Sequence, residues 1–255
     1  MSAAVESLLP AMRTIVVTGA TAGIGLATTK RLVDLGHRVI AVGRRRDRLD
    51  ALAAISPAGK IWTLDGDVRD RSRLEALLDD VPPAFSHIDG LVNNAGLLVG
   101  AASYEELDAT ALNTMVQTNC IGLTNMTSLL LKKLERSGQG HIINISSIGA
   151  IHPYIGGHVY AATKAFVEQF GACLRTELVE KKIKLTTIRP GRTETEFSLV
   201  RFNGDHERAA AAYNGITPLQ ASDVAEAVSW AFQQPAHVNI NLIELMPADQ
   251  QFSFK

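Results

Sequence analysis

The sequence predicts an α/β fold: one doubly wound domain in which a central parallel sheet of about seven strands carries helices on both faces. Three observations predict it. Short β-branched apolar runs alternate with longer stretches of helical period along the chain. The first run leads straight into a glycine-rich turn and then a helix. No repeat, low-complexity segment or Pro/Gly-rich linker interrupts the 255 residues, a length that one such domain accommodates.

Thr14-Ile15-Val16-Val17 has the apolar, β-branched make-up of a strand buried on both faces. The helix after the turn carries Leu26, Leu32, Val33 and Leu35 and ends at Gly36, a residue type suited to the left-handed position past a helix end. Arg38–Val42 reads as the second strand. Further strands are expected at Ile61–Leu64, Gly90–Val92, His141–Ile145, Leu185–Ile188 and Val238–Leu245. Helices are expected at Ser72–Leu78, Leu107–Leu134, Val159–Leu178 and Ser222–Phe232, the third burying a stripe of Ala162, Phe166, Phe170 and Leu174. The domain spans 1–255, with 1–12 a flexible N-terminus. The polar segment 194–219, with Gly204 and Gly215, breaks the alternation and reads as a lid over the substrate.

Bulk properties exclude several classes. Lys plus Arg number 25 against 26 Asp plus Glu, so the basic surplus of a general nucleic-acid binder is missing. No apolar run reaches the roughly 18 residues of a membrane helix, and residues 1–12 do not resemble a signal peptide, so a cytoplasmic protein is expected. Cys120 and Cys173 are too few and too far apart for a disulfide framework or a zinc site. The seven histidines show no ligand spacing, so no metal is expected.

The turn after the first strand holds Gly19, Gly23 and Gly25, spaced G-x-x-x-G-x-G. Without a Cβ, its backbone can approach a phosphate, and the helix that follows aims free N–H groups and a positive dipole end at the same place. The competing reading is a turn with no ligand, which its placement between first strand and first helix disfavours. At the end of the second strand an acidic residue would accept from a ribose 2′-OH, whereas arginine suits a 2′-phosphate. Here stand Gly43-Arg44-Arg45-Arg46, with the first acid at Asp47. Arg44 and Arg45 are therefore expected to clamp the 2′-phosphate of NADP(H); the alternative is a solvated basic start to a helix.

Tyr160 and Lys164 are four residues apart within a helical stretch and so share a face. An ammonium beside a phenol favours phenolate and lowers its pKa towards working pH. Ser147 follows the strand His141–Ile145 and could hold a carbonyl oxygen beside that phenol; Ser146 competes for the role, and either could be only a turn cap. Asn119 opens an apolar stretch as a buried amide.

Together these residues resemble the short-chain dehydrogenase/reductase family over almost the whole chain. Thr18 to Gly25, including Thr21, Ala22 and Ile24, looks like the family's cofactor turn, and Asp67-Val68 like its adenine-contacting pair. Asn93-Asn94-Ala95-Gly96 resembles its fourth-strand signature, and Pro190-Gly191 with Thr193 and Thr195 the loop that seats the nicotinamide carboxamide. Asn119, Ser147, Tyr160 and Lys164 fall at its four catalytic positions. Within the family, the stretches 156–167, 195–202 and 235–241 are most similar to the NADP-dependent 3-hydroxy acid (serine-type) dehydrogenases. Two departures stand out: Arg192 follows Pro-Gly where an apolar residue is usual, and Ala22 replaces a basic residue.

The resemblance implies reversible hydride transfer with NADP(H), Tyr160 as proton donor and acceptor, Lys164 on the ribose, Ser147 on the substrate oxygen and Asn119 anchoring a water. It also implies a homotetramer. Arg192 and Arg201 are the cations available to clamp an anionic substrate, against the reading of each as a surface ion-pair residue. Reduction of a sulfonated small aldehyde or of another carbonyl compound is the alternative reaction. A non-catalytic NADP(H)-binding sensor would be expected to have lost Tyr160 or Lys164, yet both are present.

Overall fold

The strand β1, Thr14–Thr18, is buried along its whole length, and its alternate residues enter two different cores. Ile15 and Val17 point to one face of the sheet and Val16 to the other, as the two-residue period of a strand requires. The computed structural model describes residues 12–56, 59–100 and 103–252. The expected flexible N-terminus therefore lies, apart from Met12, outside the described residues.

After β1 come α1 (Gly23–Asp34), β2 (Arg38–Gly43), α2 (Arg46–Ala54), β3 (Ile61–Asp65), α3 (Arg71–Asp79) and β4 (Gly90–Asn93). Then follow α4 (Ala109–Val116), a π turn at Gln117–Gly122, α5 (Leu123–Ser137), β5 (His141–Ile145), α6 (His158–Leu178) and β6 (Lys184–Pro190). The chain continues through β7 (Thr193–Glu194), α7 (Phe197–Arg201), α8 (His206–Ala211), β8 (Leu219–Gln220), α9 (Ala221–Gln233) and β9 (Leu242–Leu245). The main sheet has seven strands in the order β3-β2-β1-β4-β5-β6-β9, all parallel, with β7 and β8 forming a separate short ladder. On one face α1 and α9 supply Leu32, Val33, Val224, Val228 and Phe232; on the other Leu74, Leu78, Met126, Leu130, Leu134 and Leu178 come from α3, α5 and α6. Strand order reverses between β1 and β4, so a crevice opens beyond their carboxyl ends.

Three expectations need correction. The strand expected from Val238 begins only at Leu242. Asn239 explains why: its side-chain carbonyl accepts from Leu185 N at 2.9 Å and its amide donates to Leu185 O at 3.0 Å, so a side chain does the ladder's work there. The helix expected over Leu107–Leu134 starts at Ala109, after an extended Leu107, and passes through the π turn on its way to Ser137. The extra backbone residue of a π turn redirects the side chains it carries, and this one carries Asn119. On α6 the residues turned inward are Tyr160, Thr163, Lys164, Val167, Gly171 and Leu178. The apolar stripe expected to be buried is only partly so: Leu174 packs against the second core, Phe170 is half-covered, Ala162 and Phe166 are exposed, and the two phenylalanine rings stack 5.8 Å apart. The sequence period located an apolar face correctly but not how little of it the core covers.

Candidate active site

The crevice is a cavity of about 620 Å³ bounded by the glycine-rich turn, the ends of β2, β4, β5 and β6, and the segment after β7. Thr18 organises its floor. Its hydroxyl donates to Val92 O and accepts from the backbone N–H groups of Asn94 and Ala95, tying β1 to β4. Gly19 and Gly23 take left-handed φ of 66° and 49°. A Cβ on Gly25 would lie 2.3 Å from Gly19 O and one on Gly19 2.8 Å from Asn94 Nδ2, so α1 and the turn can meet only without side chains. The start of α1 has no side-chain cap and no acidic residue, leaving its first N–H groups directed at the crevice. This uncapped, positively polarised cradle fits a dinucleotide pyrophosphate. Thr21, Ala22, Gly23, Ile24, Asn94, Ala95 and Gly96 line it with Gly19, while Gly25 lies behind the lining as packing. Asn93 does not reach the crevice: its amide donates to Thr127 Oγ1 and Asn144 Oδ1, each at 3.0 Å, inside the core.

At the far end of the turn stand Arg44 and Arg45. Arg45 donates to Thr21 Oγ1 from Nε and Nη2, at 3.2 and 3.0 Å, and to Glu196 Oε2 from Nη1 at 3.0 Å. Arg48, one turn along α2, donates to Glu196 Oε1 at 2.6 Å. Arg44 lies 3.6 Å from Asp67 Oδ2, and Asp67 is gripped by Arg69. Burial raises the Asp67 pKa, but the hydrogen bonds from Arg69 outweigh it, leaving a carboxylate below its ordinary value. Val68 is buried beside it.

The residues expected to be catalytic come together where β5 ends against α6. Ser146 and Ser147 diverge: Ser146 donates to Glu168 Oε1 at 2.7 Å, away from the cavity centre, while the Ser147 hydroxyl shares a hydrogen bond with the Tyr160 oxygen and accepts from Gly149 N. Lys164 donates to Ile145 O at 2.8 Å, and its Nζ lies 5.8 Å from the centre of the Tyr160 ring. Asn119, fully covered, accepts from Leu97 N and donates to Leu97 O and Thr163 Oγ1, so it holds the loop after β4 against α6. The expectation that Lys164 lowers the Tyr160 pKa is not met in this structure. Burial pushes the phenol well above its ordinary value and Tyr154 adds to that; Ser147 and Arg201 pull it down by less. Lys164 is itself lowered to about 8 by burial. Desolvation, which penalises the charged form, is the largest influence on both groups.

The pocket beyond Tyr160 is lined by Tyr154, Phe197, Phe202 and Tyr213, with both predicted arginines present. Arg201 lies over the Tyr154 ring at 5.6 Å and the Phe202 ring at 5.0 Å, and Arg192 follows Pro190 and Gly191 on the same rim. Thr193 and Thr195 line the rim, and Tyr213 donates to Thr193 O while bonded to Ser198. The segment after β7 is thus pinned over the cavity. Sequence reasoning missed Tyr154, Arg48 and the pairing role of Glu196. Arg48 carried a signal, lying three residues after Arg45 on a helix; the other two depend on loops from distant parts of the chain. Among the described residues no three His, Cys, Asp or Glu side chains group as metal ligands, and no helix is long and apolar enough to cross a membrane.

Comparison with known proteins agrees with this fold. The model of the short chain dehydrogenase family matches residues 13–204. The NADP-dependent 3-hydroxy acid dehydrogenase YdfG of Salmonella typhi is 45% identical over 240 residues, covering 94% of this chain and 96% of the relative. Sulfoacetaldehyde reductase 2 of Chromohalobacter salexigens is 42% identical over 241 residues, again 94% of this chain and 96% of the relative. The solved closed form of a serine dehydrogenase complexed with NADP+ superposes with a TM-score of 0.91 at 44% identity, covering 93% of this chain and 96% of that one.

Proposed function

The chain belongs to the short chain dehydrogenase family, and from that premise we propose that it interconverts a short 3-hydroxy acid and the corresponding aldehyde or ketone with NADP(H), Tyr160 acting as general acid and base. The observation that carries the reading is the meeting of Tyr160, Ser147 and Lys164 at one end of the crevice that starts at Gly19, with Arg192 and Arg201 on its rim. When bound, the nicotinamide supplies hydride acceptance or donation.

The chain's own residues position and move protons. The turn from Gly19 to Gly23 and the start of α1 would hold the pyrophosphate, and Arg44 and Arg45 the 2′-phosphate. Asp67 and Val68 would border the adenine. Pro190, Gly191, Thr193 and Thr195 would seat the carboxamide. Ser147 orients the substrate oxygen, and Tyr160 takes the hydroxyl proton in oxidation and returns it in reduction. The Lys164 ammonium would hold the ribose, and Asn119 would anchor a water beside it. The segment 194–219 would act as the lid.

Tyr160→Phe is expected to remove turnover, followed by NADPH absorbance, while leaving NADPH binding within about twofold, since only the proton-transfer group is lost; substantial residual turnover would sink the assignment. A second reading, reduction of a sulfonated small aldehyde, is favoured by the same two arginines, because sulfonate and carboxylate make alike demands on a guanidinium. A panel of 3-hydroxy acids, sulfonated aldehydes and acyl thioesters ranks these by kcat/KM. Arg201→Ala and Arg192→Ala should raise KM for the acids more than for neutral alcohols, and equal losses would rule out the clamp.

A homotetramer working in the cytoplasm completes the proposal. The support for assembly is the outward apolar face of α4 to α6: Val116, Ile121 and Phe166 are exposed, and Phe166 stacks on Phe170. Sedimentation of the wild type and of Phe166→Glu would separate a tetramer from smaller species.

A further inference from the structure

The guanidinium expected to receive a 2′-phosphate already holds a carboxylate. Glu196 bonds Arg45 at 3.0 Å and Arg48 at 2.6 Å, and it is carried by the segment that closes the crevice. That segment is brought there by close packing, since a Cβ on Gly23 would lie 3.1 Å from Thr195 Cβ. Arg45 also reaches Thr21, so the glycine-rich turn, the start of α2 and the closing segment meet at one side chain.

We infer that Glu196 is a specificity-determining residue of the cofactor site: its carboxylate stands on Arg45 in the place of a 2′-phosphate and must yield that guanidinium when a 2′-phosphorylated nucleotide binds, moving to Arg48 alone. The inference rests on the reading of Arg44 and Arg45 as the phosphate clamp. The charge argument is direct. A phosphate monoester carries nearly two negative charges near neutral pH, and a carboxylate left on the same guanidinium would repel it. Glu196 is ionised throughout the working range: burial raises its pKa, but the hydrogen bonds from Arg48 and Arg45 outweigh it. Arg48 gives the displaced carboxylate a partner, so the closing segment keeps one tie to α2 while Arg45 is released. A nucleotide with a free 2′-OH does not compete for Arg45 and leaves both ties intact. Glu196 therefore opposes the phosphorylated cofactor selectively.

The test measures direct binding of 2′,5′-ADP and 5′-AMP by calorimetry, in wild type and in Glu196→Gln, at low salt and at 0.15 M salt, where exposed pairs are screened. Half-exposed ion pairs of this kind support a change of about threefold to fivefold. Glu196→Gln is expected to tighten 2′,5′-ADP by about that factor and to leave 5′-AMP within about twofold. The gain should shrink in salt and vanish in an Arg45→Ala background. Unchanged or weaker 2′,5′-ADP binding in Glu196→Gln, with wild type still preferring 2′,5′-ADP, overturns the inference alone. A wild type without that preference overturns the clamp reading and the inference with it.

Discussion

Lys164 shows what burying a cation at the proposed reaction centre costs the fold. Its ammonium is buried, with Ile145 O as its hydrogen-bond acceptor, and burial lowers its pKa from 10.5 to about 8. A lysine whose folded pKa lies below its unfolded value destabilises the protein while it is charged, and stability is regained as pH rises from about 8 towards 10.5. At neutral pH a shift of this size corresponds to about 3 kcal/mol against folding. Lys164→Met should therefore abolish turnover yet raise the melting temperature by several degrees in a thermal-shift assay. A lowered melting temperature would mean that the bond to Ile145 outweighs the desolvation. In the wild type, kcat/KM for reduction should fall with an apparent pKa near 8, as the cation beside the phenol is lost.

At the scale of elements, the crevice depends on how α1 meets β1 and β4. Gly25 sits where α1 crosses the turn, with Gly19 O and Asn94 Nδ2 both closer to its missing Cβ than any side chain tolerates. Backbone and a bonded amide cannot yield as a flexible side chain would. Gly25→Ala should cost about 1–3 kcal/mol by overpacking, read as a lower urea midpoint, and should weaken NADPH binding because the cradle shifts. Unchanged stability with unchanged binding would show that α1 is free to slide. The π turn at 117–122 acts similarly, since it sets the Asn119 amide, which bonds both backbone groups of Leu97.

At the scale of the whole molecule, the end opposite the crevice is expected to be sensitive to acid. At the amino ends of the strands, His141 is buried beside Thr186, with Lys184 and Arg13 lowering its pKa further after burial has lowered it most. His37 accepts from Arg13 N and is also lowered, by burial first and then by Arg13, with Asp89 opposing. Both folded values lie below the unfolded 6.5, so this stability is present in full above pH 6.5 and is lost as pH falls through the folded values. Urea midpoints should drop between pH 7 and 5, with each histidine contributing at most about 1.4 kcal/mol per pH unit. His141→Asn should flatten that slope. An equal slope in the variant would assign the effect elsewhere.

Much was legible from the chain alone because it is encoded locally. Runs such as Thr14–Val17 and His141–Ile145 show their burial in their composition, the glycines mark the turn that side chains would block, and the Tyr160–Lys164 spacing already places both on one helical face. What the tertiary structure alone decided concerns partners distant in sequence. It left Phe166 on α6 exposed, let the Asn239 side chain replace a strand, directed Asn93 into the core, raised rather than lowered the phenol's pKa, and brought Glu196 across to Arg45. Spacing along a chain reports which side chains share a face. Which surface that face meets, and how much water remains there, exists only once distant segments have packed together.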